Sequence, residues 1–362
     1  MNSDTNHLFD LLQIALRHKS EFSHIPSEKD WRELYTLAKR QALLGIAFAG
    51  IEHLPKAQRP PKPLLMQWIL AAEHIKNRNN ELNSKTLAIS NRFLSEGFRN
   101  IILKGQGVAE YYGELACYRT SGDVDIWLEG RRKDIIAYVR RHDPDCKVVY
   151  HHVDFPKIDG VDVEVHFTPS WMNSYFTNGV LQRYFNQSKE ILFAMCDRNL
   201  DEMPAPTLAF NRVYILVHIY RHLFHEGIGL RQLMDYYFVL CQGFTKEECW
   251  AAMRTLHSLG MKRFTSAVMW VLQEVFGLED KYLLTPPNES DGRFLLNEIM
   301  RSGNFGQYDQ SLWRTHNDSD LSYALRKLRR IFRFIRSYPS EVLWSPFFKV
   351  WHYFWRKKMQ AG

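Results

Sequence analysis

The feature that most constrains this chain is a pair of short segments in which apolar and charged residues alternate. They are DVDIWL at 123–128 and VDVEVHF at 161–167. Alternation at every second position is typical of a strand with one buried face and one polar face. Asp123 and Asp125 would therefore share the polar face of their strand. Like charges in that arrangement repel each other unless a cation lies between them.

The second segment belongs to the clearest β-hairpin of the sequence. Asp159-Gly160 separates it from KVVYHHVDFPKI at 147–158, and Asp-Gly supplies the positive φ angles that a tight two-residue turn needs. The polar face of this strand carries Asp162, Glu164 and His166. If the strand neighbours the Asp-x-Asp strand, three or four carboxylates converge on one patch of the sheet.

Short β-rich runs and helical patterns alternate over roughly 99–170, which predicts a small mixed sheet with helices packed on it. The segments before and after show helical spacing. We therefore expect an α+β protein, in which a small mixed-sheet domain is flanked by N-terminal and C-terminal helical regions. The expected units are a helical region at 1–97, an α/β core at 98–200, a helical domain at 201–284, and a loop with a basic, aromatic-rich helical tail at 285–362.

Composition favours a folded protein in a reducing compartment. The 362 residues are 45% hydrophobic, which allows a sizeable core. The five cysteines form no CxxC pair, so they indicate reduced thiols rather than disulfides or a zinc site. The longest apolar run, at 42–51, is shorter than the ~20 residues of a membrane-spanning helix. Together with the polar start of the chain, these features favour a cytoplasmic location.

The net charge of +7 is concentrated near the end of the sequence, where residues 321–362 carry ten Lys or Arg and a single acid, Glu341. Cations alternate there with aromatic residues, as in helices that dock on an anionic membrane surface or bind a polyanion such as nucleic acid. The alternative is a helix that packs its aromatic face on the protein and leaves its cations in water. Docking on lipid would place the protein at the inner face of the membrane.

The converging carboxylates point to a metal site. Such a cluster is costly unless it is protonated or neutralised, and carboxylate oxygens are ligands that suit Mg²⁺. Two-metal phosphoryl and nucleotidyl transfer uses this arrangement. A lone Asp-x-Asp is common on solvated strands, but the third carboxylate of the hairpin favours the metal site. We predict that Asp123, Asp125 and Glu164 form it.

Other residues are candidates for phosphate binding. Gly105 and Gly107 could let backbone N–H groups approach a phosphate, although a plain turn explains them equally well. Lys104 and Arg119 could clamp a phosphate or pair with a nearby acid.

Two further groups lie on the helical pattern after residue 207. His218, His222 and His225 share a helix face, which we interpret as a face packed on the sheet, with metal ligation as the alternative. Arg231 and Asp235 have the spacing of an intrahelical ion pair.

The segments ILKGQGVAEYYG, YRTSGDVDIWL and VDVEVHF together resemble the uncharacterised bacterial nucleotidyltransferases of the DNA-polymerase-β-like superfamily. The resemblance covers roughly residues 25–240. It implies transfer of a nucleoside monophosphate from a nucleoside triphosphate, ATP or another, to an acceptor hydroxyl, with two Mg²⁺ ions as cofactors. It also implies that Asp123, Asp125 and Glu164 are the catalytic residues and metal ligands. A small molecule, a sugar or a protein side chain could be the acceptor.

The turn after Lys104 departs from the superfamily pattern, which has a Gly-Ser pair there. Without that serine, Lys104, Arg119 or Ser121 would have to supply the phosphate contact, with Gly105 and Gly107 shaping the turn. An alternative function follows from this departure. It is a catalytically inactive protein of the same fold, used for binding or as a scaffold, and attached by its basic tail to a membrane or polyanion.

Overall fold

A computed structural model describes residues 3–194, 200–309, 313 and 319–361. Its first four helices precede the sheet. They are α1 (Ser3–Ala15), α2 (Glu28–Arg40), α3 (Leu44–His53) and α4 (Lys62–Ser95). The long helix α4 follows a proline-rich turn and is continuous from Lys62 to Ser95.

One four-stranded sheet follows. Its strands are β1 (Asn100–Leu103), β2 (Val124–Leu128), β3 (His152–Ile158) and β4 (Val161–His166), with α5 (Gln106–Ala109) after β1 and α6 (Arg132–His142) after β2. The strand order is β1-β2-β4-β3. The pair β2–β4 is parallel, and the pairs β1–β2 and β3–β4 are antiparallel. The mixed sheet and the hairpin at Asp159-Gly160 are therefore confirmed, with both turn residues at positive φ.

The remaining described chain is helical. Its helices are α7 (Tyr175–Ala194), α8 (Leu208–His225), α9 (Leu230–Cys241), α10 (Lys246–Ser258), α11 (Lys262–Phe276), α12 (Glu289–Ser302), α13 (Asp320–Phe332) and α14 (Pro339–Ala361). The expected α+β class is confirmed. Among the described helices, none combines the length and the apolar character needed to cross a membrane.

The two faces of the sheet meet different helices. On one face, Val124, Ile126, Val163 and Val165 join a core with residues of α4 and α6. On the other face, Trp127 packs against Phe193 of α7, with ring centres 5.1 Å apart. Alternation within β2 therefore places its valine and isoleucine in one core and turns Asp125 toward α7 and α8.

The C-terminal helices are part of the packed structure. Arg330 is almost completely buried, donates hydrogen bonds to the carbonyl oxygens of Leu223 and Phe224, and pairs with Asp309. Glu341 is also buried and accepts hydrogen bonds from the backbone N–H groups just before α7. The interpretation that the basic tail packs on the protein therefore holds for the side of α13 and α14 that carries Arg330 and Glu341. The division of the chain into four units stays a prediction.

The cysteines of the described chain, Cys117, Cys146, Cys241 and Cys249, are free thiols. The fifth, Cys196, lies outside the described residues.

Candidate active site

Asp125 lies at the centre of the site. Its side chain is 2% exposed. The ammonium group of Lys104 lies 2.9 Å from Oδ2, and Nε2 of His166 lies 2.9 Å from Oδ1. The charges that offset the carboxylate are thus supplied by the protein itself. Lys104 thus pairs with a nearby acid, which is one of the two roles that the sequence left open for it.

The backbone of the β1–α5 turn aims Lys104 at Asp125. Leu103, the residue before it, is the register partner of Asp125 in the β1–β2 pair. Lys104 then adopts φ +42°, and Gly105 follows at φ +46°. A non-glycine residue in this region costs about 1–3 kcal/mol, so the surrounding contacts must hold it there. Burial alone would lower the pKa of Lys104, but the charges of Asp125, Asp123 and Glu164 outweigh burial and raise it.

Glu164 stands beside Asp125 because the two residues are register partners on the parallel strands β2 and β4. Its Oε2 lies 3.2 Å from Nδ1 of His152 and 3.5 Å from Nε2 of His166. Burial would raise the pKa of Glu164, but these imidazoles and Lys104 outweigh burial and lower it to about 2. The group is therefore a carboxylate at any physiological pH.

His166 holds the opposite charge. Burial would lower its pKa, but its hydrogen bonds to Asp125 and Glu164 outweigh burial and raise the pKa to about 9. Next to it, burial lowers the pKa of His151 well below its ordinary value, so that ring is neutral. The site thus contains both cationic and neutral imidazoles.

The donor atoms fit a divalent cation. In the described chain, three groups of side chains have ligand atoms within 4.8 Å of one another. They are Asp125, Glu164 and His166; His152, Asp154 and Glu164; and His151, His152 and His166. Carboxylate oxygens are typical ligands of Mg²⁺, and neutral imidazole nitrogens suit transition metals. Because His166 is protonated at neutral pH, it would have to lose its proton before it could bind a metal.

Asp123 differs from the other two predicted ligands. It precedes β2, is half-buried, and belongs to none of these three groups of described side chains. Among the ion pairs of the described residues, none involves its carboxylate. Asp125 and Glu164 are thus brought together directly, and Asp123 lies at the same cavities without an ion-pair partner among the described residues.

Three cavities meet at Asp123. The first, the histidine cavity, measures about 320 Å³ and lies between Asp125, Glu164, Trp171, His218 and Arg221. The second, the arginine crevice, is a small cleft of about 20 Å³ lined by Lys104, Gly105, Arg119 and Arg231. The third, the outer groove, measures about 600 Å³ and runs between α4 and the β3–β4 turn, past Arg78 and Asp162. Asp123 lines all three.

Arg119 is held by a carboxylate. Its Nε and Nη2 donate to the two oxygens of Asp235 at 2.7 and 2.9 Å, and the Tyr112 hydroxyl donates to the same carboxylate at 2.6 Å. Arg231 donates instead to the carbonyl oxygen of Thr120. The expected intrahelical pair of Arg231 with Asp235 is therefore wrong, because Arg119 in the loop before β2 binds the Asp235 carboxylate instead.

Ser121 and the two glycines are explained by backbone packing. The Ser121 hydroxyl donates to Oδ1 of Asn79 on α4, and the Asn79 amide donates to the carbonyl oxygens of Cys117 and Arg119. A Cβ on Gly107 would lie 2.2 Å from the carbonyl oxygen of Ile102, so only glycine lets α5 approach β1. Since α5 is a single turn of four residues, the electrostatic contribution of its N-terminus is small.

The sequence interpretation missed part of the site. His152 is the register partner of His166 across the β3–β4 hairpin, and His151 precedes it. The available signal was the pair His151-His152 at the start of the first hairpin strand. His152 and Asp154 are two residues apart, as Glu164 and His166 are on the second strand, so each pair shares one face of its strand. Arg221 on α8 and Trp171, whose ring lies under the Arg221 guanidinium, form the opposite wall of the histidine cavity.

Comparison with known proteins identifies the family of this chain. The chain matches the family described as uncharacterised nucleotidyltransferase over residues 27–277. Neither the comparison with curated proteins nor that with solved structures gave a match. The family match spans α2 to α11 and so contains the sheet, all three predicted carboxylates and the helix that faces them. The chain therefore belongs to the uncharacterised nucleotidyltransferase family and is a transferase of phosphorus-containing groups.

Proposed function

We propose that this protein is a Mg²⁺-dependent nucleotidyltransferase that moves a nucleoside monophosphate from a nucleoside triphosphate to an acceptor hydroxyl. The pairing of Asp125 with Glu164 on adjacent parallel strands carries the proposal. This register brings two carboxylates to one point of the sheet, with Asp123 next to them where the cavities meet. Family membership favours this function over a catalytically inactive scaffold.

In this proposal Asp123, Asp125 and Glu164 hold the Mg²⁺, with one or two ions shared among them. When bound, the cation neutralises the triphosphate and lowers the pKa of the attacking hydroxyl. Glu164 suits the role of ligand better than that of general base, because a carboxylate with a pKa of about 2 accepts a proton weakly.

Lys104 is the best candidate for binding the triphosphate. It reaches Asp125 and lines both the histidine cavity and the arginine crevice. We expect its ammonium group to donate to phosphate oxygens once a divalent cation has replaced it at the Asp125 carboxylate. Gly105 gives the turn its shape. Arg119 and Ser121 then act mainly by fixing the loop before Asp123, since Arg119 donates through Nε and Nη2 to Asp235 and the Ser121 hydroxyl donates to Asn79.

A paired-variant experiment tests the assignment. Thermal denaturation is measured with each of the four nucleoside triphosphates, with Mg²⁺ and with EDTA. We expect wild type to gain stability only when Mg²⁺ and a triphosphate are both present. Asp123→Asn should lose that gain while keeping the melting temperature of the metal-free protein, because none of the described ion pairs uses Asp123. Asp162→Asn, an exposed change on β4, is the control. A full Mg²⁺-triphosphate response in Asp123→Asn would exclude this site.

A second observation concerns the surface of α14. Leu343, Phe347, Val350 and Phe354 are 54–68% exposed and recur at helical spacing, so they form one apolar stripe. Lys357 and Lys358 follow at the same end of the helix and are exposed. We propose that this stripe lies on an anionic membrane surface, which would hold the enzyme at the cytoplasmic face.

The apolar surface extends beyond α14. Phe176, 71% exposed at the start of α7, contacts Trp344, which in turn contacts Phe347, with both pairs of ring centres 5.9 Å apart. Such a contiguous exposed patch marks an interaction site more often than scattered apolar residues do. The neighbouring lysines favour a lipid surface with negative headgroups as the partner.

A further inference from the structure

Arg221 on α8 is a buried cation that forms no ion pair with the described residues. Its side chain is 4% exposed, and its Nε and Nη1 atoms are buried without a hydrogen-bond partner in the described chain. The guanidinium carbon lies 3.4 Å from the centre of the Trp171 ring, so the planar group is stacked and fixed in orientation. Both residues line the histidine cavity.

Arg221 differs in this respect from the other buried arginines of the described chain. Within the described residues, three more arginines are at most 2% exposed, and each has a carboxylate partner. The pairs are Arg119 with Asp235, Arg212 with Glu248, and Arg330 with Asp309. Among the ion pairs of the described chain, none includes Arg221. A buried, unpaired charge is costly, so a site that keeps one needs another reason for it.

The nearest acids are engaged elsewhere. Glu341 accepts hydrogen bonds from the backbone N–H groups of Asn173 and Ser174. Glu226 binds Nδ1 of His222 at 3.0 Å. Burial therefore prevails over the attraction of both acids and lowers the pKa of Arg221 to about 9. The guanidinium is still protonated at neutral pH, and it is available to an anion that enters the cavity.

The wall around Arg221 contains further polar nitrogen atoms without partners in the described chain. Nε1 of Trp171 and Nε2 of His225 are also buried and unpartnered in the described chain, and an indole N–H can only donate. The carboxylates Asp125 and Glu164 line the same cavity. A ligand that fits must therefore place a negative group next to Arg221. Its other end, which faces Asp125 and Glu164, must carry a hydroxyl group or another group that can bind a cation.

We propose that Arg221 and Trp171 form the anion subsite for the acceptor, which is a small hydroxyl compound carrying a phosphate or carboxylate group. The inference rests on the proposed function, because the carboxylates are taken to activate the acceptor hydroxyl. We assign Arg221 to the acceptor rather than to the triphosphate because it does not line the arginine crevice, where Gly105, Arg119 and Arg231 lie; Lys104 lines both cavities and so stands between the two subsites. A cavity of about 320 Å³ is of the size that holds a small ligand.

Titration calorimetry without Mg²⁺ or nucleotide tests the subsite. The probes are glycerol 3-phosphate, glycerate and glycerol, which differ only in the anionic group. The proteins are wild type, Arg221→Gln, Arg221→Lys, and Arg254→Gln as the control, because Arg254 also lies over a tryptophan but at the surface. We expect wild type and the control to bind one or both anionic probes and not glycerol. Preference between the two anionic probes identifies phosphate or carboxylate as the group recognised.

Arg221→Gln should weaken that binding by at least about tenfold, since a charged hydrogen bond is lost. Arg221→Lys keeps the charge but not the planar fork, so it should bind with intermediate affinity. If the Gln variant does not fold, the Lys variant decides. Equal affinity in wild type and the folded Arg221 variant would overturn the proposal, as would wild type that binds neither anion.

The response to Mg²⁺ and triphosphate separates this inference from the proposed function. Arg221→Gln should keep that response, which depends on Asp123 and Asp125. If it loses the triphosphate together with the anionic probe, Arg221 belongs to the nucleotide site, and the acceptor assignment is overturned. If wild type binds the anion through Arg221 but no nucleotide, the proposed function fails, and the anion cannot be assigned as an acceptor.

Discussion

The ammonium group of Lys104 lies 2.9 Å from Oδ2 of Asp125, at the carboxylate that we assign to the metal. Lys104 and a divalent cation therefore compete for the same oxygen. The other oxygen of Asp125 is bound to His166, so the metal-free site is already largely neutralised. The carboxylates can thus stay together in the folded protein before any cation or nucleotide arrives.

Replacement of Lys104 should uncover this competition. In Lys104→Met the Asp125 carboxylate keeps only His166, and breaking a buried ion pair costs about 3–5 kcal/mol. We expect a lower melting temperature in EDTA and a larger rise on adding Mg²⁺ than in wild type. Differential scanning calorimetry measures both.

Lys157→Met is the control for this change, because Lys157 pairs with Asp162 at the surface, where such a pair contributes about 0–1 kcal/mol. A Lys104→Met protein with the same Mg²⁺ response as wild type would show that Lys104 and the cation do not share Asp125.

Asp125→Asn separates stability from ligand binding. Relief of carboxylate repulsion alone predicts a metal-free protein at least as stable as wild type. The structure predicts the opposite, because the change leaves Lys104 and His166 buried without their counter-charge, at a cost of about 3–5 kcal/mol. Chemical denaturation in EDTA measures the loss. Asp123→Asn, which breaks no described ion pair, is the matched comparison, and equal stability of the two variants would contradict this view of the site.

The stability of the metal-free protein should depend on pH through His166. Its folded-state pKa of about 9 is above its ordinary value, so its contribution is fully present below the unfolded pKa of about 6.5 and is lost as pH rises through 9. Each pKa unit corresponds to about 1.4 kcal/mol, which gives a loss of up to about 3 kcal/mol. Urea denaturation in EDTA at pH 6, 7.5 and 9 measures it.

His166→Asn provides the reference for this pH series, because an amide does not titrate. The free energy of unfolding of the variant should fall less between pH 6 and 9 than that of wild type. Parallel pH curves for the two proteins would show that His166 is not the titrating cation.

A double-mutant cycle tests how Arg119 acts. Arg119→Met and Asp235→Leu should each lower the free energy of unfolding by about 3–5 kcal/mol, because each leaves a buried charge without its partner. The double variant should be more stable than either single variant, since both charges are gone. If Arg119→Met instead keeps wild-type stability and loses only the Mg²⁺-triphosphate response, Arg119 is a direct phosphate ligand.

The apolar stripe of α14 should control attachment to lipid. Phe347→Ser combined with Phe354→Ser removes two exposed side chains without touching the buried face of the helix. Sedimentation with vesicles containing phosphatidylserine should show wild type bound and the double variant mostly free, with binding that weakens as salt screens the lysines. Met66→Ser with Leu70→Ser, which are exposed on α4, is the control. Equal sedimentation of all three proteins would exclude the stripe as the attachment site.

The sequence by itself determined the local structure of this protein. Alternation in β2 and β4 fixed which residues share a strand face, and Asp159-Gly160 fixed the hairpin. These are short-range properties, since successive side chains of a strand point to opposite sides whatever the strand packs against. The predicted mixed sheet between helical regions follows from the same patterns.

Only the tertiary structure decided which charges meet. His166 reaches Asp125 across 41 residues of sequence, and Arg119 reaches Asp235 across 116. Spacing in the sequence favoured Arg231 for Asp235, but the packing of α9 against the loop before β2 brought Arg119 there instead. The position of Arg221 also depends on tertiary packing, because α8 packs over the sheet and so places the Arg221 side chain in the histidine cavity. A side chain's partner depends on where distant elements come to lie, and periodicity within one element carries no information about that.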